Sequence, residues 1–71
     1  MISASALHVG DVLQSRDGDL YRLTRRHTYK RWDADRLNGF GIWIPWGYIA
    51  DHEIEQSGPD RIWWLDESVQ R

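Results

Sequence analysis

The stretch Trp32–Asp51 constrains the fold more than any other part of this chain, because it combines large aromatic residues with turn-forming ones. It holds three of the five Trp and three of the six Gly, and residues 40–50 are the longest nearly unbroken apolar run. The β-branched and aromatic residues of Phe40–Ile44 favour a strand. Pro45 cannot donate to a sheet ladder, so this strand either stops there or lies at an edge or bulge. We expect the other strands to pack around this stretch.

The length of 71 residues and the absence of Cys limit how such a chain is stabilised. A chain this short forms one domain (1–71) and buries only about 60% of its unfolded surface. Without Cys there is no disulfide and no zinc site of the Cys type. We expect the nine aromatic residues to stabilise the fold, either in a tight core or at an interface with a partner. A second copy of the chain, in a homodimer, is one such partner.

The distribution of apolar and charged residues indicates a cytoplasmic protein rather than a membrane protein. No apolar run approaches the roughly 18 residues of a membrane span, and the N-terminus lacks the charged start and long apolar block of a leader. The net charge is −2, with five cations in residues 22–31 and six acids in residues 51–67. Such asymmetry bears on association with partners rather than on the fold.

The turn signal at Asp17-Gly18 predicts a hairpin between the strands Val12–Arg16 and Leu20–Arg26. Gly accepts the positive φ that hairpin turns require. If residues 16–18 form a three-residue loop, Leu13 faces Tyr21 on one side of the sheet. If only the Asp17-Gly18 pair turns, the register slips by one residue and the opposite faces are exchanged.

The rest of the chain predicts more short strands separated by turns. Residues 1–8 are expected to be a loose lead-in or one short turn, and residues 27–38 a loop, with a helical turn over Asp33–Leu37 as an alternative. Tyr48–Glu55 predicts a strand with an acidic outer face, and a short helical turn after Pro45 is the competing interpretation. The acidic residues of that face are Asp51, Glu53 and Glu55. A last strand, Arg61–Leu65, precedes a polar tail of residues 66–71. This pattern is typical of an all-β domain, a small barrel of five or six strands.

The central stretch resembles the second half of an SH3 domain. That family has a Trp-x-Ala strand, a Gly-containing turn and then a Pro-x-x-Tyr-Ile segment, and here Trp32-Asp33-Ala34, Gly39 and Gly41, and residues 44–50 follow in that order. Gly10-Asp11-Val12 is similar to the segment before the second strand of the family. The resemblance implies an SH3-like, partly open barrel. It also places Trp32, Pro45 and Tyr48 where the family builds its groove for peptides. The Ala-Leu-Tyr-Asp-Tyr start of the family has no counterpart here.

Trp46 joins Trp32, Pro45 and Tyr48 in the predicted protein-binding set. An aromatic groove suits an extended polyproline ligand, which loses little entropy on binding. Trp46 stands between Pro45 and Gly47, and an exposed Trp between turn residues suits a binding hot spot. The alternative interpretation is that these aromatic residues fill a small core. The predicted set is Trp32, Pro45, Trp46 and Tyr48.

A second set mixes cations with an aromatic residue and predicts a nucleic-acid-binding loop as the alternative function. In such a loop cations hold phosphates while the aromatic ring stacks on a base. The set is Arg25, Arg26, Tyr29, Lys30 and Arg31. The competing interpretation is a solvated loop whose charges pair with Asp33, Asp35 or the acidic C-terminal half. The negative net charge favours this competing interpretation, since nucleic-acid-binding domains are usually basic. A protein partner with an acidic patch is equally compatible with the loop.

No group of residues in the sequence indicates chemistry. The three His do not form a metal-ligand spacing, and no nucleophile, phosphate-binding loop or carboxylate pair in an apolar setting is recognisable. We therefore expect no catalytic residue, no metal and no cofactor. The first functional hypothesis is a non-enzymatic protein–protein interaction module, of the kind that a phage or mobile element directs at a host protein.

Overall fold

The computed structural model describes residues 2–66, which form one antiparallel sheet of five strands and a short α-helix. The elements are β1 (Val12–Ser15), β2 (Leu20–Thr28), β3 (Arg31–Leu37), β4 (Trp43–Ala50), α1 (Asp51–Ile54) and β5 (Trp63–Leu65). Their order across the sheet is β4-β3-β2-β1-β5. Because β4 and β5 are its two edges, the sheet of the described residues is open rather than a closed barrel. The all-β prediction is confirmed, and the SH3-like assignment stays a prediction.

The hairpin of β1 and β2 has the first of the two predicted registers. The Ser15 N–H donates to the Asp19 carbonyl at 2.9 Å, and the Gly18 N–H donates to the Ser15 carbonyl at the same distance. Gly18 has a φ of 92°, which a residue with a Cβ adopts only with strain. Residues 16–18 therefore form the three-residue loop, and Leu13 lies opposite Tyr21 as that alternative predicts.

The prediction of a loop or a helical turn over Asp33–Leu37 is wrong, because these residues belong to β3, an interior strand of the sheet between β2 and β4. β3 pairs with β2 on one side and with β4 on the other. Trp32 and Ala34 are buried, while Asp33 and Asp35, which alternate with them, are half-buried on the opposite face. The alternation of a strand is thus present, and the abundant charges of the segment obscured it.

The predicted strand Phe40–Ile44 is displaced, since β4 starts three residues later and runs past Pro45. The Asn38 N–H donates to the Ile42 carbonyl at 2.9 Å. Hydrogen-bonded pairs alternate along an antiparallel ladder, so Pro45 points its backbone away from β3, where no N–H is required. Trp46 is the extra residue of a bulge, because the pairing shifts by one on either side of it. The edge and bulge alternatives for Pro45 are both confirmed.

The predicted strand Tyr48–Glu55 is wrong beyond Ala50: residues 48–50 belong to β4, and the competing helical turn is present at Asp51–Ile54 as α1. No acidic strand face exists, because each carboxylate bonds within the molecule. Asp51 pairs with Arg26, the Glu53 carboxylate accepts the Ala50 N–H at 3.2 Å, and the Glu55 carboxylate accepts the Ala4 N–H at 2.8 Å. Ala50 has no side-chain oxygen, so the Glu53 contact is only half of a capping box.

The core lies on one face of the sheet, under α1 and a 3₁₀ turn at Ala4–Ala6. The interpretation of residues 1–8 as a loose lead-in is wrong, and the short-turn alternative holds, since Ala4 and Leu7 are buried. The Trp32 indole N–H donates to the Ala4 carbonyl at 3.1 Å, which fastens this turn to β3. The buried cluster is Ala4, Leu7, Leu13, Tyr21, Leu23, Trp32, Ala34, Ile49, Ile54 and Trp63.

The predicted polar tail starts at Asp66 and otherwise lies outside the described residues. Among residues 2–66, no helix has the length and apolar character that a membrane crossing requires.

Candidate protein-binding groove

An open groove of about 530 Å³ crosses β2, β3 and β4. Cross-strand partners point to the same face, and Pro45 lies opposite Asp35 while Tyr48 lies opposite Asp33. These four side chains alternate with the core residues of β3, so they lie on the face opposite the core. The residues that line the groove are Thr24, His27, Arg31, Asp33, Ala34, Asp35, Pro45, Trp46, Gly47 and Tyr48.

Three of the four residues of the predicted protein-binding set meet at this groove. Pro45, Trp46 and Tyr48 line it, and the side chains of Trp46 and Tyr48 are 48% and 54% exposed. Trp32 does not join them, because it is only 4% exposed and belongs to the core on the other face. The structure therefore assigns Trp32 the core role that was its alternative interpretation.

Trp46 is exposed, as expected, but it also has a structural contact. Its ring packs edge-on against Tyr21, with 4.6 Å between the ring centroids. Tyr21 in turn packs edge-on against Trp63 at 5.0 Å. Trp46 thus covers the edge of the core from the bulge, and its remaining surface is available at the mouth of the groove.

A cation–aromatic pair forms one wall of the groove. The Arg31 guanidinium carbon lies 4.4 Å from the centroid of the Tyr48 ring. The same guanidinium approaches the imidazole of His27 at 3.3 Å. This contact holds the Tyr48 ring against β3, which lowers the conformational entropy that the ring would lose on binding a ligand.

Two carboxylates lie on the β3 side of the groove. The Asp33 carboxylate is 3.9 Å from the Arg25 guanidinium, and the Asp35 carboxylate is 3.8 Å from that of Arg22. These separations exceed hydrogen-bond length, so both carboxylates keep acceptor positions for a ligand. The groove consequently combines carboxylate acceptors with an aromatic and a proline surface.

The predicted nucleic-acid-binding set is dispersed in the structure. Arg26 forms two 2.7 Å bonds to the Asp51 carboxylate, and its guanidinium also donates to the Tyr29 carbonyl. The bond to Asp51 raises the pKa of Arg26. Tyr29 and Lys30 occupy the exposed turn between β2 and β3, where Tyr29 is 77% exposed. Arg25 and Arg26 pair with Asp33 and Asp51, as the competing interpretation expected, but both lie in the strand β2 and not in a solvated loop.

The sequence analysis did not identify four of the polar residues that line the groove: Thr24, His27, Asp33 and Asp35. The sequence pattern that indicates Asp33 and Asp35 is the alternation of apolar and acidic residues in Trp32-Asp33-Ala34-Asp35. Once Trp32 and Ala34 are placed in a core, a strand puts the two acids together on the other face.

The described part of the chain brings no three or more His, Asp or Glu side chains into an arrangement that would hold a metal ion. Comparison of the chain with models of known families, with curated proteins and with solved structures finds no match.

Proposed function

We propose that this chain is a non-enzymatic protein–protein interaction module that binds an extended segment of a partner protein in the groove across β2, β3 and β4. The observation that carries the proposal is the convergence of Pro45, Trp46 and Tyr48 on one open groove of about 530 Å³. The resemblance to SH3 domains predicted Pro45 and Tyr48 as binding residues, and the position of Trp46 between Pro45 and Gly47 predicted the third.

The chemistry of the groove supports a polypeptide ligand. Aromatic and proline surfaces contact apolar side chains, and Tyr is enriched at protein interfaces because its ring combines contact area with a polar group. The carboxylates of Asp33 and Asp35 accept hydrogen bonds from main-chain N–H groups or from a basic side chain of the partner. The groove is a shallow, open surface of mixed polarity, which suits an extended segment better than an enclosed small molecule.

The test compares partner capture by the unmodified protein and by Tyr48→Ala, using tagged protein in lysate of the organism that encodes it. Tyr48 is half exposed and its principal contact is the cation–π pair with Arg31. Its removal should cost roughly 0.5–1 kcal/mol of folding stability. If Tyr48 binds the partner, its truncation should weaken capture by about 30-fold or more, since hot-spot residues contribute about 2 kcal/mol or more.

Tyr29→Ala is the matched control, because Tyr29 is also an exposed Tyr beside a cation, with the Lys30 Nζ at 5.4 Å from its ring. It lies on the turn between β2 and β3 and does not line the groove. We expect the control to retain the captured protein after nuclease treatment. Equal capture by the protein and by Tyr48→Ala would contradict the proposal.

The same experiment tests the nucleic-acid alternative. Recovery that disappears with nuclease and in Tyr29→Ala would support nucleic-acid binding at the exposed turn instead. Such binding would also weaken steeply with added salt, because cation–phosphate contacts release counterions.

A further inference from the structure

Arg31 is a cation of the groove that has no acidic partner in the described part of the chain. It lies in β3, where its cross-strand neighbours are Thr28 on β2 and Ala50 on β4, and neither of them is charged. No ion pair of residues 2–66 includes Arg31. Its guanidinium has a polar contact with the His27 imidazole at 3.3 Å, which supplies no negative charge. Arg31 therefore brings an uncompensated positive charge to the groove.

The other two Arg side chains on this face of β2 and β3 each lie beside a carboxylate. Arg22 lies opposite Asp35, and Arg25 lies opposite Asp33. The two ion pairs have separations of 3.8 and 3.9 Å, and opposite charges that face each other across two strands stabilise a sheet. Three cations thus share two carboxylates, and the cation in excess is Arg31, which lines the groove.

The Arg31 guanidinium is positioned by its neighbours and partly removed from water. The residue is half-buried, and its guanidinium carbon lies over the Tyr48 ring at 4.4 Å from the centroid. Its Nε is buried and has no hydrogen-bond partner among the described residues. A cation that is removed from water without a counter-charge is unfavourable. Stacking on an aromatic face leaves the in-plane N–H groups of a guanidinium free to donate to an incoming carboxylate.

We propose that the segment bound in the groove carries an acidic side chain, Asp or Glu, whose carboxylate pairs with Arg31. This inference rests on the proposed function and specifies the chemistry of the partner. A carboxylate accepts two parallel N–H bonds from one guanidinium, which fixes the position of the segment along the groove. The pair forms beside the Tyr48 ring, where a bound segment excludes water and so strengthens the charge-assisted hydrogen bonds.

The distribution of charge selects an acidic side chain over a basic one for this position. A basic side chain that approached Asp33 or Asp35 would also approach the Arg that already lies beside that carboxylate. An acidic side chain at Arg31 meets a cation without a partner. The acidic residues of α1 cover the core face of the sheet and lie away from the groove, although they contribute to the net charge of −2. The charge of the groove thus complements an acid.

The first test selects ligands from a display library of random peptides of about eight residues, which in extended form reach across the molecule. Selection uses the unmodified protein, and the selected peptides are then tested on Tyr48→Ala. We expect peptides that require Tyr48 and that share an Asp or Glu at one position. Peptides that require Tyr48 but share no acid would overturn this inference and leave the proposed function intact. The absence of any peptide that requires Tyr48 would overturn both.

The second test measures the affinity of one selected peptide and of its amide counterpart, in which Asn or Gln replaces the shared acid. Fluorescence anisotropy of the labelled peptides gives both dissociation constants. The amide peptide should bind the unmodified protein about tenfold or more weakly, because it loses a hydrogen-bonded charge pair. This comparison changes no residue of the protein, so its outcome does not depend on the folding of a variant. Equal affinities would overturn the proposal.

Arg31→Gln identifies the cation that holds the acid. The acid and amide peptides should bind this variant equally, because Gln has no charge with which to prefer the acid. Lys30→Gln is the matched control, since it removes the same charge from an exposed position that does not line the groove, and it should retain the difference between the two peptides. A difference that persists in Arg31→Gln, or that disappears in Lys30→Gln, would contradict the pairing with Arg31.

A single-stranded oligonucleotide, added as a competitor, distinguishes a carboxylate from a phosphate as the group that Arg31 binds. The peptide should stay bound when the oligonucleotide is present at the same concentration. Displacement of the peptide by an oligonucleotide that binds the unmodified protein but not Arg31→Gln would assign Arg31 to nucleic-acid phosphate and overturn the proposal.

Discussion

Replacement of Trp32 by Phe tests the most consequential assignment in this structure, which is that Trp32 is a core residue rather than a binding residue. Trp32 is buried in β3, and its indole N–H is bonded to the carbonyl of the fully buried Ala4. Phe retains an aromatic ring at this position but removes the donor and the second ring. The change therefore separates the core contribution of Trp32 from a general need for an aromatic residue.

The expected loss of stability follows from two contributions. Without the indole the Ala4 carbonyl keeps only a long 3.4 Å contact from the Leu7 N–H. Loss of the indole hydrogen bond costs about 1 kcal/mol. The lost buried atoms cost about a further 1–2 kcal/mol. The sum of about 2–3 kcal/mol is a large part of the stability of about 4–10 kcal/mol that a domain of this size has.

The assay is urea unfolding followed by far-UV circular dichroism, which avoids the fluorescence of the other Trp residues. With a slope of about 1 kcal/mol per molar urea, the midpoint should fall by about 2–3 M. Trp64→Phe is the matched control, because Trp64 is half-buried and lies outside the core cluster, with the Arg61 guanidinium carbon 5.3 Å from its ring. The control should lose less than about 1 kcal/mol.

Equal midpoints for the two variants would refute this reasoning. A Trp32→Phe protein with unchanged stability and lost partner binding would return Trp32 to the binding set.

Two further predictions concern charge and pH. Arg26→Lys should destabilise the fold by about 1–2 kcal/mol, because Lys cannot form the paired 2.7 Å bonds to Asp51. The control Arg25→Lys, with a 3.9 Å contact to Asp33, should change it by less than about 0.5 kcal/mol in urea unfolding, and equal losses would contradict the assignment. Burial, and secondarily the charge of Asp19, raises the pKa of Tyr21 above its ordinary value of 10.0. As the pH rises, the unfolded chain therefore loses the Tyr21 phenol proton before the folded chain does. The contribution of Tyr21 to stability is intact below pH 10.0 and is lost as the pH rises through the folded pKa. The free energy of unfolding of Tyr21→Phe should decline less between about pH 9 and 12 than that of the unmodified protein. Parallel curves would exclude the contribution of Tyr21.

Local sequence signals predicted the features that depend on neighbouring residues. The Asp17-Gly18 pair predicted the first hairpin and left two registers open, between which the three-residue loop of the structure decides. Pro45 predicted an edge or a bulge, and the structure has both. These features follow from backbone restrictions on Gly and Pro, which act within a few residues and need no knowledge of the rest of the fold.

Features that depend on distant partners were mispredicted. The charges of residues 31–37 suggested a loop, but pairing with β2 and β4 makes them an interior strand of the sheet. The acids of residues 51–55 alternate like a strand, but their partners Arg26 and Ala4 lie far away in the sequence. Alternation cannot distinguish a solvated face from a set of separate internal contacts.

The sequence alone thus established an all-β chain with its main turns and named three of the residues that line the groove. Tertiary packing determined which side of each strand became the core. The 3₁₀ turn at Ala4–Ala6 and α1 cover one face, so Trp32 is buried there while Asp33 and Asp35 line the groove on the other. The physical reason is that a period of two defines two faces for a strand, and only the elements that pack against the sheet decide which face leaves water.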